Sequence, residues 1–299
     1  MVTPDPLQAL IGTWVGSGFN AIWRPNSQGS DRILMLSFTQ ETLSFTRIPG
    51  TIPNRGFLQG DVAMTGVTYM DEISDTAGNG LHIEPGIWIV APATTNPHVP
   101  QSVVRMASIP HGSTILAQGV ASNPAAGPPT IPAASLIPTT IANGTAQDFP
   151  ERQVKQQSLF RIPPDPLPPG ITQTLLDNPN TLLDAKLTGL NVLSMTTLTV
   201  DTTPDQPIPG GGTANTAFLA GTNPNNQMGN ASANVVSAIF WIESVAAQGD
   251  QPAFMQLQYT QTVVLDFGPL HWPHVTVATL RRISTGPTPV VPVPPAVGN

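Results

Sequence analysis

Runs of Val, Ile, Thr and aromatic residues, each bounded by turn-forming residues, recur along the chain and predict strands. Seven fall in the first half: Thr13–Trp23, Arg32–Thr39, Thr42–Ile48, Asp61–Glu72, His82–Val90, Val103–Ile109 and Thr114–Ala121. Five follow in the second: Val192–Asp201, Ala214–Ala220, Ala233–Val245, Ala253–Phe267 and Val275–Ile283. Helical pattern is sparse. Asp5–Ile11 predicts one short turn capped by Asp5, and Ile171–Leu187 a weak helix broken at Pro179. Many short strands with one or two helical pieces predict a mainly β fold, a closed antiparallel up-and-down barrel, over any α/β layering.

Proline punctuates this pattern. The 34 prolines are densest in Pro124–Pro138, in Pro163–Pro169 and in the tail Pro287–Pro295. Proline fixes φ and lacks an N–H, so none of these stretches can form a central strand. They predict one barrel domain over residues 1–285, with loops inserted at 123–169 and 201–230, and a Pro-rich tail at 286–299. The first insertion is expected to run outside the barrel wall and to contribute no ladder strands. The tail is expected to be polyproline II or disorder.

Composition narrows the function. Charged residues make up 10 % of the chain, against roughly 25 % in an average globular protein. Lysine occurs at Lys155 and Lys186 alone, and the net charge is -7. Phosphate binding needs clustered cations, so nucleic acid and anionic membrane surfaces are not expected partners. With 0 cysteines, disulfides, thiolate metal sites and a cysteine nucleophile are excluded. Met1–Leu10 has neither a basic nor an apolar stretch of signal-peptide type, and no run approaches the roughly 18 apolar residues of a membrane span. A cytoplasmic protein is the expectation.

Four segments carry candidate chemistry. Gly12-Thr13-Trp14-Val15-Gly16-Ser17-Gly18 follows the short helical turn. Its Trp can plug one end of a barrel, and Arg281 or Arg282 of the last strand can stack on the ring, because first and last strands are neighbours on closure. In Leu81-His82-Ile83-Glu84-Pro85-Gly86-Ile87-Trp88, His82 and Glu84 point to the same side of a strand. They make an acid–base couple or a structural His–carboxylate hydrogen bond, and are too few for a zinc site. Met106-Ala107-Ser108-Ile109-Pro110-His111-Gly112 places His111 at a tight turn. In Leu270-His271-Trp272-Pro273-His274, His271 is expected in the turn and His274 at the opening of the final strand. If His274 faces inward, so do Thr276, Ala278 and Leu280, a small and apolar set that suits an axial haem ligand. A capping or surface histidine is the alternative from this segment alone.

The Gly-x-Trp opening is of the lipocalin type. In their order and residue types, GTWVGSG, LHIEPGIW, SIPHGSTILAQG and HVTVATLRR resemble the nitrobindin-like haem proteins of the calycin superfamily. The resemblance covers about half of the chain. It implies a calycin-like barrel holding b-type haem, with His274 as the iron ligand and Thr276, Ala278 and Trp88 beside the macrocycle. His82, Glu84 and His111 are candidates for chemistry at the open iron position. That position would handle a small ligand or oxidant such as nitric oxide, peroxynitrite, peroxide or a nitrogenous substrate, which admits an isomerase, lyase or peroxidase-type enzyme. A haem-free carrier of an apolar molecule and a cofactor-free enzyme using His82 and Glu84 are the alternatives. The expected partner is a small molecule, and a homodimer is allowed.

Overall fold

A computed structural model describes residues 5–26, 32–122, 124–221 and 230–284. Its centre is a closed barrel of 10 antiparallel strands. These are β1 (Gly12–Pro25), β2 (Arg32–Arg47), β3 (Val62–Asp75), β4 (Gly80–Ala91), β5 (Ser102–Ile109), β6 (Ser113–Ala121), β7 (Val192–Asp201), β8 (Ser232–Val245), β9 (Phe254–Phe267) and β10 (Leu270–Ser284). Each pairs with its neighbour in sequence, and β1 closes the ring on β10 in the register Trp14↔Arg282, Gly18↔Ala278 and Ile22↔His274. Closure leaves the main ladder without an open edge.

β1 alternates in the manner of a strand with two different buried faces. Trp14, Asn20 and Ile22 face the interior, whereas Phe19, Ala21 and Trp23 face outward. The outward set is covered by the segment after β6 and by two short helices, α1 (Gln173–Asp177) and α2 (Thr181–Leu187). Leu136, Leu176 and Leu183 from this cover are fully buried, and the Trp23 indole donates to the Leu136 carbonyl at 2.9 Å. The molecule therefore has two apolar cores, one inside the barrel and one between its wall and the cover. The helix break falls at Pro179, between α1 and α2, as the sequence predicts.

The closed end follows from the opening motif. Asp5 caps the short 3-10 turn Pro6–Leu10 by accepting from the Leu7 amide at 2.9 Å. That turn buries Leu7 and Leu10 against Trp14. The Trp14 indole donates to the Leu10 carbonyl at 2.6 Å, and the Arg282 guanidinium stands 5.6 Å from the ring centroid.

Several expected boundaries move. Arg32–Thr39 and Thr42–Ile48 are one strand, β2. The polar pair Gln40-Glu41 suggests a break, but the ladder continues because buried Glu41 finds partners inside the barrel. Ala214–Ala220 is a short ladder piece, Gly212–Asn215 on β6, followed by the helix α3 (Ala217–Ala220). The last strand begins at Leu270, so His271 lies in it and His274 is interior to it. The insertion at 123–169 covers the outer wall but also holds two ladder pieces, contrary to expectation. Thr139–Thr140 pairs with the start of β10, and Arg161–Ile162 runs parallel to the start of β2. Each is two residues long and lies next to a proline, where free backbone groups can still complete an overhanging strand end. The tail from residue 285 on and residues 222–229 of the second insertion lie outside the described residues.

Candidate functional site

Above the closed end the barrel encloses a cavity of about 620 Å³. One wall is apolar and aromatic, with Phe45, Trp88, Phe240, Val263 and Leu265. Trp88 packs edge-on against Phe240, which also stacks on the ring of Tyr259. The other wall carries polar side chains from β3, β5, β9 and β10. The mouth lies near His82, His111 and the α3 residues Phe218 and Leu219.

The polar wall begins at the mouth. His82 Nδ1 lies 3.3 Å from His111 Nε2, and His82 Nε2 lies 3.3 Å from Glu84 Oε2. Glu84 is fully buried and meets Arg105 Nη2 at 2.5 Å. The Tyr69 hydroxyl also donates to Glu84. Arg105 completes its fork through Nε to the Tyr69 oxygen at 2.9 Å and through Nη1 to Gln261 Oε1 at 2.5 Å. Burial alone would push the Glu84 carboxyl up, but Arg105, His82 and Tyr69 hold it down at about 2. Arg105 is buried too, and the charge of Glu84 keeps it protonated. Thus the ion pair is internally neutral. A buried pair of this kind is stable when the remaining donors are satisfied, as here.

Deeper in the wall stands a second polar group. The Tyr259 hydroxyl donates to Glu41 Oε2 at 2.7 Å. The neighbour of Glu41 in the wall is the buried carboxyl of Asp71. Burial pushes Glu41 up to about 7 and Asp71 well above the ordinary carboxylate range, with the neighbouring carboxylates adding to the shift of Asp71. Burial likewise raises both tyrosine hydroxyls, so they act as neutral donors.

His274 lines the cavity on β10. Its Nε2 lies 2.7 Å from Asn20 Oδ1, which also accepts from the Thr276 hydroxyl at 2.9 Å. An acceptor at this position fixes the proton on Nε2 and leaves the Nδ1 lone pair without a hydrogen bond among the described residues. Burial lowers the imidazole from 6.5 to about 3, with His82 and His111 contributing, so it is neutral. His271 is elsewhere: its Nδ1 is 2.6 Å from Asp266, across the ladder pairing of the two residues. Among the described residues no group of three or more His, Asp or Glu side chains is arranged to hold a metal ion. A haem iron needs one protein ligand, so the fit rests on His274, on the neutral imidazole and on the cavity volume, which lies within the roughly 300–1,000 Å³ of small-molecule sites.

The structure brings together His82, Glu84 and His111, and places Trp88, His274 and Thr276 in the same cavity. Ala278 is fully buried in the inner core and does not line the cavity. Sequence reasoning missed Glu41, Tyr69, Asp71, Arg105, Tyr259 and Gln261. A signal for them exists in the strand period: Tyr69 and Asp71 share a face with inward Val67, and Glu41 with inward Leu43 and Phe45. Among the described residues, no helix is long and apolar enough to cross a membrane. The sequence matches no protein-family model and no curated protein, so the cavity and its polar wall are the ground on which function has to be argued.

Proposed function

We propose that the chain is a calycin-type ligand-binding barrel whose cavity holds b-type haem, with His274 as the iron ligand. The observation that supports this is the state of His274: neutral, facing the cavity, and tied through one ring nitrogen to Asn20. Metal-ligating histidines are oriented in this way, by a hydrogen bond from the other nitrogen. Thr276 steadies Asn20, and Trp88 and Phe240 supply flat apolar surface for a macrocycle. Arg24, exposed at the cavity rim, is a cation for a carboxylate that reaches solvent. Bound haem supplies an iron with one open position, at which a small ligand or oxidant such as nitric oxide, peroxynitrite or peroxide is handled. His82 and His111 stand where such a molecule enters.

Hemin titration tests this reading. Wild type should develop a Soret band with saturable stoichiometry. His274→Ala should lose or strongly shift it, and His271→Ala should keep it, because His271 is bound to Asp266. A wild-type protein that takes up no hemin overturns the reading. The apolar wall then favours the second one, a carrier of a small ring-bearing molecule without iron.

A further inference from the structure

The Glu41–Asp71 pair has no part in holding haem, yet it is the most acceptor-rich place in the cavity. Asp71 lines the cavity and is 7 % exposed, and Glu41 lies behind it at 2 %. Tyr259 supplies a donor to Glu41 Oε2. Glu41 Oε1, Asp71 Oδ1 and the neighbouring Thr39 Oγ1 are fully buried and receive no hydrogen bond among the described residues. With one carboxyl ionised the pair carries one negative charge. The nearby guanidinium does not neutralise it. Arg105 is committed to Glu84, with Tyr69 on Nε and Gln261 on Nη1. The charged and titratable groups facing the pair are Tyr259 from β9, Glu84 from β4, Arg105 from β5 and Tyr69 from β3 itself. They sum to no net positive charge, so the wall repels an anion and offers a ligand the Asp71 carboxyl as an acceptor.

We propose that the cavity binds a compact ring-bearing amine, whose ammonium group donates to Asp71 and whose ring lies among the aromatic side chains of the same cavity. Ionised carboxyls accept only, and an ammonium donates only, so each satisfies what the other lacks. The aromatic faces of Trp88, Phe240 and Tyr259 tolerate a nearby cation. Binding favours the singly ionised pair over its fully protonated form, so affinity rises with pH through about 7 while the amine stays protonated. This inference rests on the cavity being a ligand site and not on haem.

The test uses three probes of one shape on the full chain: naphthylmethylamine, naphthylmethanol and naphthoate. Calorimetry in buffers of different ionisation heat counts the protons released. The amine should bind about tenfold or more tightly than the alcohol near pH 8, the margin of a charge-assisted over a neutral hydrogen bond. It should weaken on going to about pH 6, where the free pair holds both protons and binding releases close to one of them, by linkage. Naphthoate should bind least. Asp71→Asn should bring the amine-to-alcohol ratio close to one while naphthylmethanol still binds, and Glu41→Gln should diminish the proton release. The wild-type pH dependence decides the matter even if a variant fails to fold. Equal binding of amine and alcohol, tightest binding of naphthoate, or no binding of any probe overturns the proposal. Hemin uptake is read separately from the Soret band, so either proposal can fail while the other stands.

Discussion

The hydroxyl of Tyr259 on β9 reaches Glu41 on β2 at 2.7 Å, across two intervening strands. Tyr259 is paired with Ala278 on β10, Ala278 with Gly18 on β1, and Glu41 with Gly16. The strands between the two side chains thus present Ala and Gly at the crossing. The same glycines let β1 and β10 come close: a Cβ at Gly18 would lie 2.2 Å from the Val277 carbonyl oxygen and 3.0 Å from Thr39 Oγ1. Closure of the barrel and the deep polar contact have one cause.

Gly18→Ala should therefore weaken both. The clash is with backbone, which cannot rotate away. A loss of about 3 kcal/mol is expected, at the upper end of overpacking costs. Chemical denaturation reads it. A loss below about 0.5 kcal/mol, the range of an ordinary surface change, would show that β1 and β10 have slack.

The Arg105–Glu84 pair should behave as a unit. Arg105→Met leaves the Glu84 carboxylate buried without its cation, at a cost of about 3–5 kcal/mol. Adding Glu84→Gln removes that charge and should recover a large part of the loss. A double-mutant cycle with no coupling would mean that the ion pair contributes packing alone.

Trp14→Phe should lower stability by about 2–3 kcal/mol, from a smaller ring and an orphaned Leu10 carbonyl. Arg282→Met should cost about 1 kcal/mol, the scale of an exposed cation–π contact. Thermal unfolding of both variants checks this order of effects.

Glu243 sets one pH dependence. It is fully buried on β8, accepts from Gln256 at 2.7 Å, and has no donor to Oε1 among the described residues. Burial raises it from 4.5 to about 7. The native state keeps a proton that the unfolded chain gives up between those values. The resulting stability is complete below pH 4.5 and is lost as pH rises through about 7. Glu243→Gln should thus gain stability relative to wild type at about pH 8, on the order of 3 kcal/mol for a shift of this size, and much less near pH 4.

His274 works in the opposite sense. Its ordinary value of 6.5 falls to about 3 in the folded chain. Here the unfolded chain binds the proton, so the contribution is full above 6.5 and is lost as pH falls through about 3. The imidazole signals of His274 should stay unchanged in NMR spectra between pH 8 and about 5, a window in which a solvated histidine titrates. A midpoint near pH 6.5 would contradict a buried neutral ring.

The strand pattern made the barrel legible, because alternation and turn residues report directly on a pleated wall with one inner face. The closing pair Trp14 and Arg282 was legible for the same reason, since a closed meander must join its first strand to its last. His82, Glu84 and His111 could be picked out as types, and they do meet. Glu41 and Asp71 were harder: the strand period places them on the inner face, but the Tyr259 partner of Glu41 lies far along the chain. A contact made across two intervening strands leaves no local trace of its partner. The outer core was hidden differently: Phe19, Ala21 and Trp23 look like ordinary inward residues until the Pro-rich cover is seen to bury the other face.

The cover clads one arc of the wall and leaves the other bare. Over the mouth-side lengths of β1, β2 and β10 the backbone is sandwiched between two apolar layers, while Val15 and Ile283 nearer the closed end are exposed. Around β4 and β6, Ile83, Leu116 and Val120 meet solvent instead. The barrel thus has a braced side and a compliant side, and the histidines of the mouth stand on the compliant one. Amide exchange should be slowest in the clad strands and faster in β4–β6. A guest too wide for the resting mouth would enter by parting that softer arc, leaving the braced one as an unmoving template.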